Sequence, residues 1–373
     1  VKALNIYNWI IIRKEMVVVI SVKAPGKLYI AGEYAVVEKG MPSIVVALNQ
    51  FITVNINETN NVYGQINSKQ YPNSIVKWNI INNKFQMISN NINNFEYVIS
   101  AMKITFNYII SLGYKLNCFD INIDSSLNSS DGKKYGLGSS AAVTVGIVKA
   151  ILKYYDLNIS LEKIFKLSSI AHLDVQGNGS LGDIAASVYG GWIAYSSFDR
   201  NWLKKHRNIE VEELINLIWP ELRIEPLTPP ANLELLIGWT GTPASTSSLV
   251  NKVEKNYDKK DYNTFLSDSK KCINRMISGF HKKSLRLIQK EILVNRLLLN
   301  KLGKFTGINI ETPKLNKLCQ IAIKNHGAAK SSGAGGGDCG IVIIDKKSSK
   351  NKIIDEWKDN DIQSLNLKIH KNL

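Results

Sequence analysis

The chemistry-bearing part of this chain is the run Tyr135-Gly136-Leu137-Gly138-Ser139-Ser140-Ala141-Ala142-Val143, a glycine-rich turn that feeds directly into an apolar helix. Glycines let a backbone approach an anion closely. The first helical amides have no intrahelical acceptor, and the helix dipole adds partial positive charge at the same end. The amides of Gly136, Leu137, Gly138, Ser139, Ser140 and Ala141 are therefore the expected cradle for phosphate. Lys133 and Lys134 add full charge immediately upstream. The serine hydroxyls are hard oxygen donors of the kind Mg²⁺ takes. The competing reading of the same residues is a tight loop closed by a serine cap. A G-x-x-x-x-G-K-[ST] loop and the H-R-D with D-F-G pair of protein kinases are both absent, so a nucleotide held here is held by a different loop.

Three more segments stand in order with this one. Lys23-Ala24-Pro25-Gly26-Lys27-Leu28-Tyr29-Ile30-Ala31-Gly32-Glu33-Tyr34-Ala35-Val36-Val37 lies near the start, Gly177-Asn178-Gly179-Ser180-Leu181-Gly182-Asp183 in the middle, and Lys330-Ser331-Ser332-Gly333-Ala334-Gly335-Gly336-Gly337-Asp338-Cys339-Gly340 near the end. In that order the four resemble the motifs of the GHMP kinase superfamily, the small-molecule kinases named for galactokinase and for homoserine, mevalonate and phosphomevalonate kinases. The likeness runs from about Val17 to the end and is greatest to the bacterial phosphomevalonate kinase branch. It implies an α+β, two-lobed fold: an amino-terminal lobe like ribosomal protein S5 with a left-handed β-α-β unit, and a ferredoxin-like carboxyl-terminal lobe. It further implies ATP and Mg²⁺ as nucleotide and metal, and a phosphorylated small molecule, phosphomevalonate, as acceptor.

The resemblance also distributes roles. Asp183 matches the catalytic aspartate, as proton acceptor or as an electrostatic and positioning group; an acceptor phosphate is already ionised at neutral pH, which favours the second role. Lys27 matches the lysine of the first motif and would bridge donor and acceptor phosphates. Lys134, with Lys133 as the alternative, supplies a second cation. Ser139, Ser140 and Asp183 are the metal candidates. Ser180, Ser245, Thr246, Ser331, Ser332, Gly335 and Gly336 are the candidates for holding the acceptor, with the third motif acting as an anion nest or as a brace under the phosphate loop. One departure stands out: mevalonate kinases carry a glutamate roughly eleven positions before the equivalent of Asp183, whereas His172 occupies that offset here and Asp174 is only nearby.

The elements that must position these residues are legible from pattern. Val17 to Val22 and Phe51 to Ile56 read as strands, with Gly26, Gly32 and Gly40 as turns, and the asparagine-rich Asn57 to Asn94 reads as a hairpin with long loops. Helices are expected at about Glu96 to Leu112, Ala141 to Tyr155, Leu161 to Leu173 and Asp183 to Val188, with strands at Cys118 to Ile123, Trp192 to Ser196 and Leu233 to Trp239. Pro226, Pro229 and Pro230 suggest a lobe boundary, giving lobes of 16–225 and 226–373. Ser245 to Leu302 reads as mostly helical with an interruption at Gly279, followed by a helix over Thr312 to Asn325 and a closing strand pair at Gly340 to Ile344 and Leu365 to His370.

Composition narrows the class. With 373 residues, 45% of them hydrophobic, the chain can support two lobes around a cleft. The formal net charge of +16 is scattered and lysine-rich, without the clustered stripe or arginine and aromatic platforms of a nucleic-acid surface. It suits an enzyme whose substrates are all anionic. No run is long enough to span a bilayer, so a cytoplasmic monomer or homodimer with no membrane or nucleic-acid partner is expected. Val1 to Glu15, ahead of Met16, read as an upstream extension without site residues. The four cysteines lack C-x-x-C spacing, and Cys339 reads as a small packed residue rather than a nucleophile. The expected activity is an ATP-dependent phosphomevalonate kinase, with another kinase of the superfamily, such as mevalonate kinase, or a non-catalytic ligand-binding relative as alternatives.

Overall fold

The computed structural model describes residues 19–127, 135–241 and 259–371. Lys133, Lys134, Ser245, Thr246 and the segment Val1 to Glu15 lie outside the described residues. The first sheet has eight strands. β1 (Val19–Ala31) pairs antiparallel with β2 (Pro42–Glu58), and the remaining order runs β5-β4-β3-β6-β2-β7-β8, with β3 at Tyr63–Ser68, β4 at Val76–Ile81, β5 at Lys84–Met87, β6 at Phe119–Ser125, β7 at Trp192–Ser196 and β8 at Arg223–Leu227.

Gly26 does not turn the chain as expected. β1 continues through it with a bulge between Pro25 and Lys27, and the residue is glycine because any Cβ there would lie 2.6 Å from Leu127 Cδ2 and 2.9 Å from the Leu137 carbonyl. The bulge is what lets the first motif touch the phosphate loop. The asparagine-rich region is a three-strand meander, in which Asn82 and Asn83, both at positive φ, make the tight turn between β4 and β5. β3 and β6 are parallel, so α1 (Glu96–Ser111) serves as the crossover between them.

Helices α1, α2 (Ser139–Tyr154), α3 (Leu161–Gln176) and α4 (Gly182–Tyr189) pack on one another, with α2 and α4 laid against β1 and β2. Their apolar faces join Ile44, Val54, Ile121 and Trp78 in one buried core. Two short helices follow that periodicity did not reveal, α5 (Arg200–Lys205) and α6 (Val211–Asn216). Pro226 sits inside β8 opposite Ile193, at the edge of the sheet, where a missing amide costs no ladder bond. Leu227 still belongs to the first sheet and Leu233 already to the second.

The second sheet is antiparallel, in the order β10-β11-β9-β12, with β9 at Leu233–Trp239, β10 at Ala328–Ser331, β11 at Cys339–Asp345 and β12 at Gln363–Ser364. A long helix, α7 (Lys259–His281), packs on α8 (Leu285–Thr306) and reaches β2 and β8 of the first sheet, while the second sheet is covered by α8, α9 (Pro313–Lys324) and α10 (Lys350–Lys358). Gly279 lies within α7 and does not break it. The chain turns at Lys283, in the left-handed region, while Gly279 leaves room for Ile288 of α8, whose Cγ1 would meet a Cβ at 2.9 Å. The closing strand expectation also needs correction: Leu365 to His370 does not pair with β11. The Leu365 amide still donates to Ile237 O of β9, and from Lys368 on the segment reaches the first lobe, where the Asn49 amide donates to Lys368 O, His370 N to Ala47 O and Gly191 N to His370 O. The tail thereby ties the two sheets together.

Candidate active site

All four motifs converge on one cleft of about 430 Å³ between the sheets. Gly138 is the N-cap of α2, in the left-handed conformation and with no side-chain cap bond. Ser139 and Ser140 are thus the first helical residues rather than caps, and both line the cleft, so the unpaired amides of this turn open toward it. Gly136 and Gly138 have φ of 74° and 78°; a Cβ on either would meet Asp338 Oδ2 at 2.6 Å or Lys27 Cε at 2.9 Å. Leu137 and Ala141 are buried and anchor the loop to the core, contributing backbone only.

Lys27 is brought to this loop by the bulge in β1. Its amide donates to Leu137 O at 2.9 Å and its Nζ lies 3.3 Å from Gly136 O and over the Tyr29 ring. Asp183 sits in the first turn of α4, whose N-cap is Leu181, so its carboxylate is not the cap of that helix. One oxygen accepts from the Ile184 amide at 3.0 Å, and the side chain faces the same cleft as Lys27 and Ser139. Ser180 lines the cleft too, its hydroxyl 2.6 Å from the Tyr29 hydroxyl.

The third motif divides. Gly333, Ala334 and Asp338 line the cleft, whereas Ser331 and Ser332 are buried and turned to packing. Ser332 Oγ donates to Tyr29 O at 2.7 Å, and the buried Lys330 ammonium pairs with Glu33 of the first motif. Gly336 N donates to Ile310 O, and Gly335 has no room for a Cβ beside that same carbonyl. With Tyr34 donating to Ala334 O at 2.5 Å, these contacts make the segment a brace between lobes. Cys339 is packed beneath the turn, 3.4 Å from Tyr135 O, and burial pushes its thiol pKa up.

Several cleft residues had no signal of their own in the sequence. Tyr29 follows Lys27 by two positions on the same strand face, and that period was the available clue. Burial, then the Asp183 charge, raises its pKa well above 10. The rings of Tyr97 of α1 and His172 of α3 lie 4.9 Å apart, tilted by 34°, beside Ser140, with His172 Nε2 3.3 Å from Ser140 Oγ. Burial lowers the His172 pKa and Asp183 opposes that shift. Asp174 is exposed and held by Arg207 at 2.7 Å, outside the cleft.

The cleft suits a nucleotide's phosphates, because the uncapped start of α2 and the Lys27 ammonium beside it both favour oxyanions. Among the described residues no three His, Cys, Asp or Glu side chains converge as a metal cage. Mg²⁺ needs only one or two carboxylates beside substrate phosphates, and the oxygen donors lining the cleft include the Asp183 carboxylate and the Ser139 and Ser140 hydroxyls.

The sequence matches the GHMP kinases N terminal domain over residues 96–191 and the GHMP kinases C terminal domain over residues 276–363. It is 35% identical over 339 residues to a phosphomevalonate kinase of Streptomyces sp. (strain CL190), covering 88% of this chain and 90% of that one. A mevalonate kinase of Methanocaldococcus jannaschii is 28% identical over 350 residues, covering 93% and 99%. The structure of Streptococcus pneumoniae phosphomevalonate kinase in complex with phosphomevalonate and AMPPNP superposes with a TM-score of 0.83 at 28% identity, covering 94% and 99%. Among the described residues no helix is long and apolar enough to cross a membrane. Likeness of this depth over nearly the whole length, on both domains and in the same order, means that the chain belongs to the GHMP kinase superfamily of small-molecule kinases.

Proposed function

We propose that this protein is a phosphomevalonate kinase, moving the γ-phosphoryl group of ATP onto the phosphate of (R)-5-phosphomevalonate to give (R)-5-diphosphomevalonate and ADP. The observation that carries the reading is the convergence of Lys27, Asp183 and the uncapped start of α2 on one cleft. The bond from the γ-phosphorus to the β,γ-bridging oxygen breaks and a bond to an acceptor phosphate oxygen forms. Such a transfer asks the protein for alignment and charge neutralisation. The α2 amides hold donor phosphate oxygens, Lys27 lies between donor and acceptor, and Tyr29 with Ser180 forms the wall beside the acceptor. An ionised acceptor phosphate has no proton to surrender, so Asp183 orients and balances charge instead of acting as a base. Bound Mg²⁺ would neutralise the phosphate oxygens beside Asp183 and Ser139. Lys134 and Ser245 with Thr246 are assigned, on sequence alone, to the transferring group and to the acceptor.

The similarity to mevalonate kinases favours a second reading, transfer to an alcohol, in which Asp183 would take the hydroxyl proton. ADP release with Mg-ATP, measured against 5-phosphomevalonate, mevalonate, homoserine and galactose, separates the two. Turnover with 5-phosphomevalonate alone supports the proposal, and preference for mevalonate replaces it with the second reading.

A further inference from the structure

The loop that carries Ser180 to Asp183 is held by its carbonyls. Gln176 Nε2 donates to Asn178 O at 2.9 Å, Arg200 Nη1 to Gly179 O at 3.0 Å and Tyr195 Oη to Ser180 O at 2.5 Å. Three consecutive carbonyls, which a short loop ordinarily leaves to water, are thus each taken by a different side chain. The same loop has an unusual backbone: Gly179 has φ of 121°, and Leu181, a branched residue, sits at φ 64° directly before the helix that carries Asp183. Such conformations persist only where the surroundings enforce them.

Arg200 reaches further than its neighbours. Its Nη2 donates to Val37 O at 2.8 Å, so one guanidinium joins the end of the first motif to the loop before Asp183, and Val37 and Gly179 are both cleft residues. The root of the side chain is fixed as well. Asp199 caps α5 by accepting from the Asn201 and Trp202 amides and pairs with Lys39 at 2.8 Å, which sets the direction in which Arg200 leaves the helix. A guanidinium has the planar, forked donor set that spans two carbonyls at once; an ammonium on a flexible stem does not.

We infer that Arg200 is a positioning residue of the transfer reaction, holding the Asn178 to Leu181 loop so that the Asp183 carboxylate faces the phosphate cradle. The inference rests on the role proposed for Asp183. It makes Arg200 dispensable for binding nucleotide, which α2 holds, and necessary for turnover.

The test is steady-state kinetics of the full chain with whichever acceptor the panel above identifies, so that a wrong substrate and a wrong role for Arg200 give different results. Arg200→Met should lower kcat by about tenfold or more, as loss of alignment does, while KM for Mg-ATP stays within about twofold. Arg200→Lys, which keeps the charge and can reach one carbonyl, should fall between parent and Arg200→Met, and it serves if the methionine variant does not fold. The decisive arm repeats Arg200→Met in an Asp183→Asn background, where a residue that acts through Asp183 has little left to lose, and its effect on kcat should shrink to about twofold. An equal loss in both backgrounds, or parental kcat in Arg200→Met, overturns the inference. So does an Asp183→Asn variant with intact turnover.

Discussion

Gly182→Ala isolates how closely the acceptor wall is built. Gly182 opens α4 with ordinary helical dihedrals, so alanine would by propensity alone stabilise that turn by about 0.5–1 kcal/mol. Here the added methyl is driven into the Tyr29 hydroxyl, with Tyr29 Cζ at 3.1 Å and Tyr195 Cδ1 at 3.3 Å. To restore van der Waals contact the tyrosine tip must retreat by about 1 Å. That disturbs its 2.6 Å bond to Ser180, and the ring has little freedom because it is buried among packed side chains. Overpacking of this kind costs about 1–3 kcal/mol, which outweighs the helix gain, and a displacement of this size beside the reacting groups costs on the order of 10²-fold in kcat. Chemical denaturation and initial rates of Gly182→Ala measure both. Tyr29→Phe in the same variant removes the colliding oxygen and should recover stability without recovering turnover. Gly177→Ala is the control: at φ 76° with nothing within 4 Å of its Cβ, it carries only a left-handed backbone cost of about 1 kcal/mol and should keep parental turnover. Parental behaviour of Gly182→Ala, or a double variant no more stable than the single one, would refute the reasoning.

The buried Lys330 and Glu33 pair predicts that Lys330→Met destabilises by about 3–5 kcal/mol, because it strands a carboxylate in the interior, and that Glu33→Gln with Lys330→Met regains most of the loss on urea denaturation. Burial pulls the Lys149 ammonium from 10.5 down to about 8, where its partner is the Val188 carbonyl at 3.2 Å. Between those values the unfolded chain binds more protons than the folded one. The Lys149 contribution to stability therefore rises with pH across that window and is lost as pH falls through about 8, and Lys149→Met should flatten the rise in the urea midpoint. Asp183→Asn should lower kcat by about 10²-fold or more with little change in the thermal midpoint, and turnover within a few-fold of parent would remove Asp183 from the mechanism. Lys134→Ala is expected to lose about tenfold in kcat on the same measure, from charge alone.

What the sequence revealed and what it hid follow from the range of the interactions involved. The α2 turn and Asp183 were legible because glycine placement and helix onset are local. α1 and α3 were legible because a buried stripe at helical spacing has few alternatives. Pro226 falls inside β8 because a proline is tolerated in a strand at the sheet edge, which only pairing decides. The return of Lys368 to Lys371 onto the first lobe depends on partners such as Asn49, more than 300 positions away. Gly26 looked like a turn because its reason for being glycine is the approach of Leu127 and Leu137 from another element. Tyr29, Tyr97 and His172 reach the cleft from three different elements, and no spacing along the chain joins them.

Whether the acceptor oxygen belongs to a phosphate is read without reference to rates by ³¹P NMR of the product formed from Mg-ATP and 5-phosphomevalonate. Transfer to a phosphate gives a new pair of mutually coupled diphosphate resonances, distinct from ADP, growing as the phosphomonoester resonance declines. A second uncoupled monoester resonance, or an unchanged phosphomevalonate signal while mevalonate is converted, would contradict it.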